Sequence, residues 1–373
     1  MWSCTFAFHP LRARRSRSRR SQVGAVCRLP EGCQRARFSY AEVIPWTPST
    51  LPRDRIRLLL LWSGLALSIV FGYLAVRKVR WDDVWTALQT NNYWWLVPAV
   101  LLLAVANLLR AFRWQSLFDP ETRPSFAPTF EVMLLGQCFN NILPVRAGEA
   151  VRIMLLHKRA ATSRAETTAT IVLERAFDVL SLLVLLFCIL PWLPHVSWVR
   201  AAAGLAIGLT LVLLLLVGVL ARHGERPFLV VLQPLRVFPF VSDDLIHRAS
   251  IGLTRGLAGL RRPRVAGTAF GLTIISWFVI AASFWVLMLG FDLGLPFTAG
   301  LLVVIATGLG MIIPSAPGAV GVFEAATVVA LGAYGVPNSR ALSYALVLHA
   351  INIIPYLVAG AIILGTDSLR RPT

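Results

Sequence analysis

Long apolar runs limit what this chain can become. The first, LLLLWSGLALSIVFGYLAV, follows Arg57, and runs of similar character recur almost to the C-terminus. About 20 apolar residues in a helix span the ~30 Å hydrocarbon core of a bilayer, because a helix satisfies its own backbone hydrogen bonds there. Six full spans are expected, near residues 57–76, 93–109, 166–190, 199–220, 265–289 and 341–364. Composition agrees: 57% of residues are hydrophobic, 14% are charged, and the mean hydropathy is +0.68. The expected fold is an all-α, polytopic helical membrane protein, not a soluble or disordered chain.

The net charge of +18 would suggest nucleic acid in a soluble protein. Here it is concentrated in the N-terminal tail and in an Arg-rich loop at 222–264. It therefore indicates positive-inside topology and attraction to anionic lipid, with no nucleic-acid partner. Three segments follow. Residues 1–56, containing LRARRSRSRR, form an expected disordered, cytoplasmic and dispensable tail. Residues 57–366 form the transmembrane domain, and 367–373 a short cytoplasmic tail. Both termini are expected in the cytoplasm, in the plasma membrane of the cell. Between the first two spans, Trp81, Val84, Trp85 and Leu88 recur at helical spacing and predict an interfacial helix. Arg110 and Arg113 close the second span and mark its cytoplasmic end.

Two stretches break the apolar pattern. In GQCFNNILPVRAGEAVR, residues 136–152, Pro144 ends a helix and pushes Leu143 toward an extended conformation. In a helix restarting after it, Arg146, Glu149 and Arg152 fall three apart on about one face. Glu149 can bridge both guanidinium groups and leave one positive charge for an anionic ligand such as a lipid phosphate. The alternative is a juxtamembrane turn whose charges only set topology. In the second stretch, Pro314 and Pro317 break a helix, and Gly318 and Gly321 permit tight turns. Glu324 then falls in the first turn of the restarting helix. Paired Gly/Pro-interrupted segments in two halves point to transporter repeats. Two broken or re-entrant hairpins are expected, one entering from each side, as an inverted repeat would produce.

The third expected span carries Glu174 and Asp178 at i, i+4, with Arg175 adjacent. Ionisable groups in a span normally face the bundle interior or a polar cavity; lying near the headgroups is the alternative. A candidate substrate site follows. Arg146, Glu149 and Arg152 meet Glu174, Arg175 and Asp178 around a hydrated cavity, and Gly321 and Glu324 close it from the second hairpin. The five cysteines form no CxxC and have no His pair at metal spacing. No nucleotide loop, HExxH or nucleophile elbow is present. No metal, cofactor or enzymatic activity is expected.

Four segments in order, RAFRWQSLF, NNILPVRAGEAVRI, LERAFDVL and PSAPGAVGVFEAA, resemble the membrane domain of lysylphosphatidylglycerol synthases, the flippase-like domain family. The resemblance covers about residues 57–366. It places Arg146, Gly148, Glu149, Arg152, Glu174, Arg175, Asp178, Pro317, Gly318, Gly321 and Glu324 on the family's recurrent positions. His349 stands where the resemblance implies a basic residue, often Arg, so a charge role at this position is left open. The resemblance implies translocation of an anionic phospholipid or a lipid-linked sugar, with the synthase domain of bifunctional members absent and a separate transferase or synthase as a partner. An assembly or scaffold role in a cell-envelope pathway is the alternative.

Overall fold

A computed structural model describes residues 51–77, 79–143, 147–194, 263–312 and 315–369, together with Gly204 and Gly208. All regular structure among them is helical: α1 (Leu51–Val76), α2 (Trp81–Thr90), α3 (Leu96–Ser116), α4 (Phe126–Ile142), α5 (Gly148–Ala160), α6 (Arg164–Ile189), α7 (Pro263–Gly290), α8 (Phe297–Gly310), α9 (Val322–Gly332) and α10 (Asn338–Leu369). Within α3, α7 and α10 lie segments long and apolar enough to cross a bilayer, the first extended by a 3₁₀ turn at Tyr93–Trp95. The chain is an all-α polytopic membrane protein. Most of the expected tail, the span at 199–220 apart from Gly204 and Gly208, and nearly all of the 222–264 loop lie outside the described residues. Helix α1 starts at Leu51, so it takes in residues 51–56, which composition alone places in the tail.

The expected interfacial helix is α2, but its stripe divides. Val84 is buried, whereas Trp81 and Trp85 are exposed. Helix α6 has 26 residues, about 39 Å at 1.5 Å per residue, and its charged positions keep it from being a plain apolar span.

Both broken stretches form helical hairpins with short legs. Helices α4 and α5 have 17 and 13 residues, and α8 and α9 have 14 and 11. All four fall below the ~20 residues of a full crossing. Leu143 ends α4 at φ −93°, ψ 143°, the extended conformation that a following proline favours. The first hairpin closes glycine on glycine. A Cβ on Gly148 would collide with the Gly136 carbonyl oxygen, and one on Gly136 with the Arg152 side chain. The second hairpin turns through Gly318 at φ 67° and Gly321 at φ 87°. Gly321 also packs against the Ser68 carbonyl of α1 with no room for a side chain.

The apolar core joins α3, α6, α7, α8, α9 and α10 through residues such as Leu103, Leu183, Phe284, Val303, Leu331 and Leu348. Polar groups in it bond to backbone across helices. Ser283 donates to the Ala99 carbonyl at 2.8 Å, and the Tyr344 hydroxyl to that of Phe284 at 2.7 Å. Around this core the two hairpins meet, because α4 packs against α10 and against the 3₁₀ turn Pro317–Ala319.

Candidate functional site

The last turns of α3 place Arg113 inside the bundle, 0% exposed. On α6, Glu174 and Asp178 stand four residues apart and so share a face, where one planar guanidinium reaches both. Arg113 Nη1 lies 2.6 Å from Asp178 Oδ1 and Nη2 lies 3.1 Å from Glu174 Oε1. The same Nη1 donates to Thr273 Oγ1 on α7 at 3.1 Å. Arg152 of α5 approaches Glu174 from the other side, Nη2 to Oε2 at 2.7 Å. Its guanidinium carbon sits 3.9 Å from the centre of the Trp114 ring, a stacking that suits Arg. Trp114 is anchored in turn by its indole N–H, which donates to Thr170 at 3.2 Å. Arg175 completes the network. It lies 3.3 Å from Glu149, 3.2 Å from Glu174 and 3.3 Å from Asp178.

Five of the residues selected from sequence therefore come together: Glu149, Arg152, Glu174, Arg175 and Asp178. Arg146 lies outside the described residues. The pairing differs from expectation, because Glu149 does not bridge to Arg152 on its own helix. Burial against Trp114 commits Arg152 to Glu174, and Glu149, more exposed, pairs with Arg175. Gly321 and Glu324 form a separate cluster. Glu324 Oε2 accepts the Gly321 N–H at 2.7 Å, and Oε1 lies 2.5 Å from His349 Nδ1.

Sequence reading missed Arg113, taking it for a marker at the end of the span. The signal was that RAFRWQSLF continues with large apolar residues past it; Trp114, Leu117 and Phe118 are all buried. It also missed Arg110, whose guanidinium carbon stacks 4.5 Å from the Trp277 ring centre. The Arg110 Nε is buried without a hydrogen-bond partner, and no carboxylate is within ion-pair distance among the described residues. Counted over Arg110, Arg113, Arg152 and Arg175 against Glu149, Glu174 and Asp178, the cluster has one more cation than it has carboxylates.

A cavity lined by both polar and apolar side chains adjoins the network. One lobe of 140 Å³ is lined by Arg110, Glu149, Arg175, Asp178, Asn140 and Ser315. A second lobe of 110 Å³ runs toward His349, Asn352 and Tyr356. Arg110, Gln137, Asn141 and Trp277 belong to both lobes, so the unpaired guanidinium stands where they join. Among the described residues, no three His, Cys, Asp or Glu side chains converge as a metal site would require.

Comparison with known proteins follows the same region. The chain is 24% identical over 278 residues to a UPF0104 membrane protein of Methanothermobacter thermautotrophicus, covering 72% of this chain and 82% of that protein. Residues 61–360 match the model of the lysylphosphatidylglycerol synthase TM region. That match takes in both hairpins, the ionic network and the cavity, and the chain belongs to this family of lysylphosphatidylglycerol synthase transmembrane regions.

Proposed function

We propose that this membrane protein binds the anionic headgroup of a phospholipid or lipid-linked glycan in the cavity and moves it across the plasma membrane. The observation that carries the reading is Arg110. It is a guanidinium without a carboxylate partner among the described residues, held by Trp277 at the junction of two partly polar lobes beside the ionic network. A cation in such a position costs about 3 kcal/mol or more unless it is paired or hydrated, and an anionic ligand supplies the pairing. Arg175 and Glu149, the more exposed members of the network, line the first lobe with it. A headgroup there competes with Glu149 for Arg175, which links binding to movement of the first hairpin. No catalytic step, cofactor or nucleic acid belongs to this reading. A lipid-transferring or lipid-synthesising enzyme would supply or consume the lipid.

Proteoliposomes containing the purified chain and a fluorescent phosphatidylglycerol test the proposal. Faster loss of inner-leaflet protection than in protein-free vesicles, slowed in Arg110→Ala, supports it. Equal rates for anionic and zwitterionic probes, unaffected by Arg110→Ala, would leave an assembly role in an envelope pathway as the better reading.

A further inference from the structure

His349 and Glu324 form a buried pair that the ionic network does not use. His349 Nε2 lies 2.8 Å from the Gly318 carbonyl oxygen, and Nδ1 lies 2.5 Å from Glu324 Oε1. The other carboxylate oxygen takes the Gly321 N–H. The His349 ring stacks on Phe323 with centroids 4.4 Å apart. One imidazole on α10 thus ties down both ends of the turn that breaks the second hairpin.

Donor and acceptor counting fixes the protons. A carbonyl oxygen only accepts, so Nε2 has to carry a hydrogen to bond Gly318. A carboxylate also only accepts, so the short Nδ1–Oε1 contact needs a second proton between the two atoms. With both protons the pair is neutral, whether written imidazolium–carboxylate or imidazole–carboxylic acid. Removal of either proton leaves a ring nitrogen lone pair facing an oxygen lone pair, at Gly318 or at Glu324. It also leaves the pair with one negative charge.

Among the described residues, the surroundings of the pair contain few other charges. Arg110 on α3 and Tyr356 on α10 line the same 110 Å³ lobe as His349. Helix α4 presents the amides Gln137 and Asn141, α7 presents Trp277, and α8 presents Thr307. Helix α1 approaches through Ser68 and Gly72, and α9 has no titratable residue besides Glu324. The released proton goes to base in the solvent and returns from it, and the lobe can hold a few waters at about 30 Å³ each to carry it.

We propose that the His349–Glu324 pair is a proton-binding site that holds the turn Pro317–Gly321 against α10 when loaded, and supplies a competing negative charge for Arg110 when empty. Proton loading then favours both a closed second hairpin and anion binding at Arg110. The second half of this statement rests on the function proposed above; the first half does not.

The test uses hydrogen exchange on the full chain in detergent, with rates corrected for intrinsic pH dependence. Amides of residues 318–323 are compared at about pH 5.5 and pH 9, where an ordinary imidazole is mostly charged and mostly neutral. In the wild type their protection should fall about tenfold at the higher pH, the loss expected for one buried hydrogen bond. Amides around Ala281 in α7 should be unchanged. Glu324→Gln presents an amide N–H to Nδ1 and a carbonyl to Gly321, imitating the loaded pair, and should stay protected at both values. His349→Phe keeps the stack but neither bond, and should be unprotected at both. Flat wild-type protection at 318–323, or a Glu324→Gln variant with wild-type dependence, overturns the site. If neither variant folds, the two wild-type measurements decide. Binding of short-chain phosphatidylglycerol should also weaken at the higher pH in the wild type and stay constant in Glu324→Gln. A flat binding curve with intact pH-dependent exchange would refute the link to Arg110 and leave the proton site standing.

Discussion

Arg113→Met tests whether Arg113, Arg152 and Arg175 balance Glu149, Glu174 and Asp178 as one unit, Arg110 standing outside it. The substitution keeps most of the side-chain volume and removes the positive charge, leaving Glu174 and Asp178 short of a partner at 3.1 Å and 2.6 Å. Breaking a buried ion pair by deleting one member typically costs about 3–5 kcal/mol, since the surviving charge remains desolvated. Glu174 retains Arg152 and Arg175, and Asp178 retains Arg175, so the loss should sit near the lower end, ~3 kcal/mol. Asp178→Asn in the same background removes the surplus negative charge and should recover part of that loss, a coupling within the roughly 0.5–3 kcal/mol seen for residues of one network. Chemical unfolding in detergent reads both terms. Arg264→Ala, an exposed arginine at the start of α7, serves as the control and should change stability by no more than about 0.5 kcal/mol. A cost for Arg113→Met no larger than the control's would refute the argument. So would a double variant that simply sums the two single losses, because the carboxylates would then be stabilised without Arg113.

Arg110→Ala should weaken phosphatidylglycerol binding about tenfold, as loss of a charge-assisted contact does, while destabilising the fold less than Arg113→Met; calorimetric titration and melting read the two effects separately. Gly148→Ala should cost about 1–3 kcal/mol through overpacking, since its Cβ would also lie 2.6 Å from Asn140 Oδ1; a melting temperature equal to wild type would show that the hairpin can open to accept it. In a background freed of native cysteines, an impermeant thiol reagent added outside should label Pro296→Cys and miss Ser163→Cys, and the opposite pattern would invert the topology. Deleting residues 1–50 should leave membrane insertion and melting unchanged, and a large drop in either would show that the tail packs on the domain.

The parts of the site legible in the sequence were those set by local spacing. Glu174 and Asp178 share a face because i and i+4 always do in a helix. Leu143 is extended because a proline follows it, and the second turn lies at Gly318 and Gly321 because φ near +67° and +87° suits glycine. Partner choice was not legible, because it depends on which helices pack. Arg113 finds Asp178 65 positions later and Thr273 160 positions later. Nothing near Arg113 distinguishes that fate from snorkelling to the headgroups, apart from the aromatic and leucine residues after it. Glu149 illustrates the same limit within one helix. Spacing allowed a bond to Arg152, but α5 also packs on α6 and on Trp114, and the buried guanidinium takes the better-desolvated carboxylate. His349 shows it for a single residue: in sequence it is only a histidine inside the last span. Between the Gly318 carbonyl and Glu324, both acceptors, its two nitrogens cannot be satisfied without one more proton than a neutral imidazole and a carboxylate carry between them. That requirement arises from where α10 meets the broken hairpin, so the chemistry of this position is a property of the packing and not of the residue type.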